Sequence, residues 1–206
     1  MKPAEIEALS FKIIDQEVGP HDFSSDQWSV VQRMIHTSAD FDYRDTVRFH
    51  PDAMTAGIKA IRNGKTIVTD TNMARVGMRK KDLDRFGAAV KCFMNDPVVH
   101  ANAKTAGTTR AVAAVDTATE EIDGGIYVIG NAPTALLHLI ETVKGKKAKP
   151  ALIIGLPVGF VNAAESKAEL LKIEDPPYIT NVGRKGGSNV AASVINALVI
   201  LATQEF

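Results

Sequence analysis

Apolar and polar positions follow two different rhythms along this chain. Residues 3–17 place Ile6, Leu9, Ile13 and Ile14 at a helical spacing, which predicts an amphipathic helix. Ser24 and Ser25 can cap a second helix running through Trp28, Val31 and Ile35, and 52–62 predicts a third that ends near Gly64. Beyond Gly64 the pattern changes. Short apolar runs rich in β-branched residues appear at 66–69 (TIVT), 90–94, 126–129 (IYVI), 151–156 (ALIIGL) and 178–181. Such runs fit strands buried on both faces, as in a parallel sheet. Helix-like segments lie between them at 79–86, 109–121, 133–144 and 163–172, and an apolar one at 189–204 follows the last strand. Pro133 suits the first turn of its helix, where no N–H is needed, and Gly145 is placed to end it. Strands alternating with helices predict one α/β domain over 1–206. It has three α/β/α layers around a mostly parallel sheet, with a helical N-terminal segment. In such sheets ligands sit beyond the carboxyl ends of the strands.

Composition narrows the function. Lys plus Arg and Asp plus Glu number 24 each, so the formal net charge is zero. A nucleic-acid or membrane-surface binder would show a basic excess, and neither is an expected partner. The one basic run, 144–149 (KGKKAK), reads as a solvated turn. The single cysteine, Cys92, cannot form an internal disulfide or a Cys-rich zinc site, and its apolar surroundings predict a small buried residue. No apolar run approaches the roughly 20 residues of a membrane span. The opening residues do not read as a signal peptide, and a cytoplasmic setting is expected.

The unusual chemistry lies in the turns that follow the strands. They read 70–74 (DTNMA), 130–136 (GNAPTAL), 157–167 (PVGFVNAAESK) and 183–188 (GRKGGS). In the last, glycines let a ligand approach the main chain, and Arg184 and Lys185 add positive charge beside N–H groups that lead into a helix. It reads either as a carboxylate or phosphate site or as a tight turn with solvated basic side chains. It is neither a Walker loop nor a dinucleotide fingerprint, and no Gly-x-Ser-x-Gly elbow occurs anywhere. The five histidines do not have zinc-motif spacing. His36 falls at the end of the Trp28 helix, where the helix C-terminus favours a cation and imidazole can change charge near neutral pH. His138 reads as structural, and His21, His50 and His100 as surface or packing residues. Glu120 and Glu121 read as an exposed helix face.

In this order and spacing, Ser10-Phe11, 33–36 (RMIH), 70–73, 130–136, 157–167 and 183–188 closely resemble the precorrin-8X methylmutase / cobalt-precorrin-8 methylmutase family. The resemblance runs from about Ser10 to the last helix. It implies an α/β homodimeric isomerase of cobalamin biosynthesis. Its substrate is a tetrapyrrole with acetate and propionate arms. A methyl group moves from ring carbon 11 to ring carbon 12, giving hydrobyrinate or, with cobalt, cobyrinate. It implies no cofactor and no protein metal site, any cobalt being carried by the substrate ring. The family's catalytic histidine falls on His36, and Ser10 matches a substrate-contacting serine. Arg110 matches an arginine near the ring, but its flanks differ, so Thr109 stays a candidate beside it. Arg75, Lys167 and Arg184 are further carboxylate partners by charge and loop position, each also readable as a surface ion pair. The alternative is a non-catalytic tetrapyrrole carrier on the same fold. A phosphate- or nucleotide-binding regulator is disfavoured by the missing loops.

Overall fold

The computed structural model describes residues 2–204. Three helices and a short strand come first: α1 (Pro3–Val18), α2 (Ser25–Ser38), the brief α3 (Tyr43–Thr46) and β1 (Val47–Phe49). The α/β part follows as α4 (Ala53–Arg62), β2 (Ile67–Thr69), α5 (Asn72–Gly77), α6 (Lys80–Asp84), β3 (Val90–Lys91), α7 (Pro97–Ala106), α8 (Arg110–Ala118), β4 (Ile126–Ile129), α9 (Pro133–Lys144), β5 (Leu152–Gly155), α10 (Ala163–Leu170), β6 (Tyr178–Asn181) and α11 (Ser188–Gln204). The sheet order is β1-β6-β5-β4-β2-β3, parallel throughout except that β1 runs antiparallel to β6. The expected α/β class with a mostly parallel sheet is what the chain forms.

Alternate residues of each strand enter opposite layers, because successive side chains of a strand point to opposite faces. Ile67, Ile126, Val128, Leu152, Ile154 and Ile179 join a core with Val31 and Ile35 of α2, Ile61 of α4 and Leu198 of α11. Val68, Tyr127, Ile129, Ile153 and Tyr178 join a second core with Val115 of α8, Leu139 of α9 and Leu170 of α10. Both parities are buried, so the strands must be apolar throughout. The N-terminal helices belong to the first of these layers, where α11 packs on α2, α4 and α5.

Several expectations are corrected. The strand expected at 90–94 is only Val90–Lys91, since its one neighbour, β2, is itself three residues long. Cys92 lies past its end and is half-buried rather than buried. The helix expected to 121 stops at Ala118, and Glu121 sits in the following turn with its carboxylate 2.6 Å from Lys91 Nζ. α3, β1, α5 and α7 have no counterpart among the expected elements, and part of the turn expected at 70–74 is the start of α5. Ser24 does cap α2, accepting from the Gln27 N–H. Among the described residues, no helix is long and apolar enough to cross a membrane.

Candidate functional site

The chain passes from β2 outward to β3 and then returns to β4 on the other side of β2. The crevice between β2 and β4 is therefore the switch point at which sheets of this kind accept ligands. Here a side chain of the protein itself fills the ready anion site. Asp70, 2% exposed, accepts hydrogen bonds from the main-chain N–H groups of Gly130 (2.9 Å), Asn131 (2.8 Å) and Ala132 (2.7 Å). Burial pushes its pKa up, while the three N–H donors pull it back. The next residue, Thr71, has its hydroxyl 2.8 Å from that of Ser188, the first residue of α11. Gly130 lies so close to Ser188 that a Cβ would come within 2.7 Å of its Cα. The turns after β2, β4 and β6 are thus held as one unit.

The turn after β6 is fixed from beneath and from the side. Lys167 was expected to meet a substrate carboxylate, but the structure corrects this: the residue is 1% exposed. Its ammonium donates to the Lys185 carbonyl (2.6 Å) and to Asn181 Oδ1 (3.1 Å), and burial lowers its pKa to about 8. Lys185 is not a free cation either. Its Nζ lies 2.6 Å from a carboxylate oxygen of both Asp40 and Asp42, and those bonds raise its pKa. That leaves Arg184, also exposed, as the cation of the turn that pairs with no carboxylate among the described residues, its guanidinium carbon 5.6 Å from the ring centroid of Phe160 in the turn after β5. The two turns are stitched together by the Gly159 N–H to the Arg184 carbonyl (3.2 Å) and the Gly187 N–H to the Leu156 carbonyl (2.9 Å). Gly186 packs onto the Leu156 carbonyl too closely for any side chain.

The pairing of Lys185 with Asp40 and Asp42 also brings the end of α2 to this turn, and His36 stands on that last helical turn. Ala39, in the left-handed conformation, ends the helix immediately afterwards. The imidazole is exposed and has no hydrogen-bond partner among the described residues. It meets the Phe11 ring edge-on, centroids 5.1 Å apart. Ser10 precedes Phe11 on α1 and so shares this neighbourhood. Its hydroxyl is half-buried and donates to the Ile6 carbonyl (2.9 Å).

Thr109 and Arg110 gather above β4. Thr109 caps α8, accepting from the Val112 N–H, and its hydroxyl is 3.5 Å from that of Thr134 in the first turn of α9. Arg110 is exposed and approaches His100 Nε2 to 3.2 Å. Arg75, on α5, donates to Asn72 Oδ1 (2.9 Å) and lines a cavity of about 600 Å³ with Val76, Met78 and Val90. None of the other six candidate residues lines that cavity. His138 pairs with Asp116 at 2.6 Å, a structural contact between α8 and α9. From β6 to β2 the turns form a rim three strand spacings wide, about 14 Å, polar or basic after β2, β4 and β6 and apolar after β5, where Val158, Phe160 and Val161 are exposed.

A mostly parallel sheet with helices on both faces and a rim of glycine-rich, largely polar turns over the strand ends is the architecture of an α/β enzyme. A family model described as Precorrin-8X methylmutase matches residues 5–201. The chain belongs to the precorrin-8X methylmutase family, whose members are isomerases of cobalamin biosynthesis, and the carrier alternative is set aside. It is 52% identical over 202 residues to a protein of Priestia megaterium named Cobalt-precorrin-8 methylmutase, covering 98% of this chain and 89% of that one. It is 39% identical to the Precorrin-8X methylmutase of Pseudomonas aeruginosa, covering 92% of this chain and 91% of the relative. A solved structure of a precorrin-8X methylmutase from Thermus thermophilus superposes with a TM-score of 0.90 at 46% identity, covering 97% and 96% of the two chains.

Proposed function

We propose that residues 1–206 act as one methylmutase domain. The domain moves the methyl group on ring carbon 11 of a precorrin-8-type macrocycle to ring carbon 12, with His36 as the acid. The carrying observation is that an exposed imidazole, with no hydrogen-bond partner among the described residues, stands on the last turn of the helix tied through Asp40 and Asp42 to the Arg184 turn. Imidazolium at His36 hydrogen-bonds or protonates a ring nitrogen and draws electron density from the conjugated system. The bond from methyl to carbon 11 then breaks as the bond to carbon 12 forms, and the proton returns to His36. Atoms and electrons balance within the substrate, so the step needs no cofactor, and any cobalt enters and leaves with the ring. Arg184 and Arg110 take carboxylate arms, with Thr109, Ser10 and Arg75 as further polar contacts. Lys167 acts only through the turn that it supports. The higher identity to the relative named for the cobalt substrate supports a cobalt-containing ring.

We also propose a homodimer, supported by the exposed stripe Ile6, Leu9 and Ile13 on α1, at 52%, 46% and 44% exposure, and a cytoplasmic setting, as the family resemblance implies. His36→Ala tests the central assignment. A positioned acid contributes about 10²–10⁴ in rate, so the variant should bind corrin product normally and lose that much in single-turnover absorbance. Near-native turnover would remove His36 from the mechanism.

A further inference from the structure

The turn between β5 and α10 exposes three large apolar side chains within four residues: Val158, Phe160 and Val161, at 44%, 86% and 78%. Phe160 belongs to none of the three hydrophobic clusters. The only other exposed phenylalanine among the described residues, Phe41, is barely so at 37%. A floppy loop would let an apolar ring fold back onto the protein. This loop cannot, because its main chain is bonded to the β6 turn through Gly159 and Arg184, and Asn162 turns left-handed directly before α10. The ring is therefore held out, and its one described partner is the Arg184 guanidinium.

Of the two cations in the 183–188 turn, Lys185 is spent on protein carboxylates and Arg184 rests on an aromatic face. An exposed cation–π contact is weaker than a charged hydrogen bond to a carboxylate. An incoming carboxylate thus displaces the ring from Arg184 at little cost and leaves Phe160 facing the ligand. A fixed apolar ring beside an unpaired guanidinium recognises a molecule with a flat conjugated face and acidic arms.

We propose that Phe160 is a substrate-contacting residue: its ring covers one face of the macrocycle while Arg184 turns from that ring to a neighbouring carboxylate arm. This rests on the methylmutase reading given above and adds the residue that holds the face of the ring.

Phe160→Ala and Phe160→Trp test it, with hydrobyrinate and cobyrinate as probes, each titrated by visible absorbance. Because the side chain is exposed, both variants should fold. Burying most of a phenylalanine against a ligand is worth about a tenfold change in affinity or more. The alanine variant should therefore raise the Kd about tenfold, alter the absorption bands of the bound corrin, and keep the wild-type molar mass by light scattering. The tryptophan variant should bind within about threefold of wild type, since an indole face stacks as well. If wild type binds and Phe160→Ala binds equally well, this inference falls while the methylmutase reading stands. A changed molar mass in Phe160→Ala would assign the ring to a contact between protein chains and overturn the proposal. A wild-type protein that binds neither corrin would sink both readings.

Discussion

Replacing Asp70 with asparagine separates the roles of charge and shape in holding the turn after β4. One carboxylate oxygen serves the Gly130 N–H and the other serves those of Asn131 and Ala132. The best asparagine rotamer keeps its carbonyl on the latter pair and points its NH2 at the Gly130 N–H. One charged hydrogen bond, worth about 1.5–3 kcal/mol, becomes a contact between two donors, and the other two become weaker neutral bonds. Against this, a neutral amide relieves the cost of burying a charge. The net loss should be about 2 kcal/mol, or roughly 4–8 °C in Tm for a chain of this size. Asp70→Ala, which leaves all three N–H groups without a partner, should cost about 4 kcal/mol. Urea unfolding at pH 7 followed by circular dichroism measures both, with the m-value expected to hold. An asparagine variant within about 0.5 kcal/mol of wild type would show that water or local shifts satisfy these N–H groups and that Asp70 is not the anchor.

Lys167 supplies a pH test. Burial lowers its pKa from the ordinary 10.5 to about 8. Between those values the unfolded chain binds the proton that the folded chain has shed, so stability rises with pH across the window, by up to about 1.4 kcal/mol per pH unit. Below pH 8 both states hold the proton and this contribution is flat. Lys167→Met should erase the rise in urea midpoint between pH 8 and pH 10, and a slope that survives must come from another group. Arg184→Ala should raise the Kd for corrin product by about tenfold, with a smaller loss in the rate of bound substrate. Equal affinity would make the 183–188 turn purely architectural. Gly130→Ala should cost about 1–3 kcal/mol, because its methyl would press on the Ser188 main chain, which cannot rotate away. Thermal unfolding reads that directly.

The two-faced sheet was legible because Ile126–Ile129 and Leu152–Gly155 are apolar at both parities. The limits of α9 were legible in Pro133 and Gly145. β1 was not, since Val47–Phe49 is three residues with Arg48 in the middle and gains its identity only by pairing with β6. α7 is bounded by residues visible in the sequence: Asp96 caps it, Pro97 opens it and Gly107 closes it in the left-handed conformation. The depth of Lys167 follows from the helical period of α10. Ala163, Ser166 and Leu170 are the buried positions of α10, and a helical period puts Lys167 on the same face. No local pattern, by contrast, joins Lys185 to Asp40 and Asp42 or leaves Phe160 outside the core. Those facts depend on turns that meet only after the sheet has formed.

The sheet also ends in a guarded way. On one side β3 offers two residues, and on the other β1 offers three with Arg48 among them. Long, flat, unpaired margins invite neighbouring chains to add strands, and short or charged ones give such an intruder very few hydrogen bonds. Copies of this protein that meet at high concentration therefore gain little by extending the ladder across molecules. Lasting association has to be made through helices and loops, where side-chain shape selects the partner.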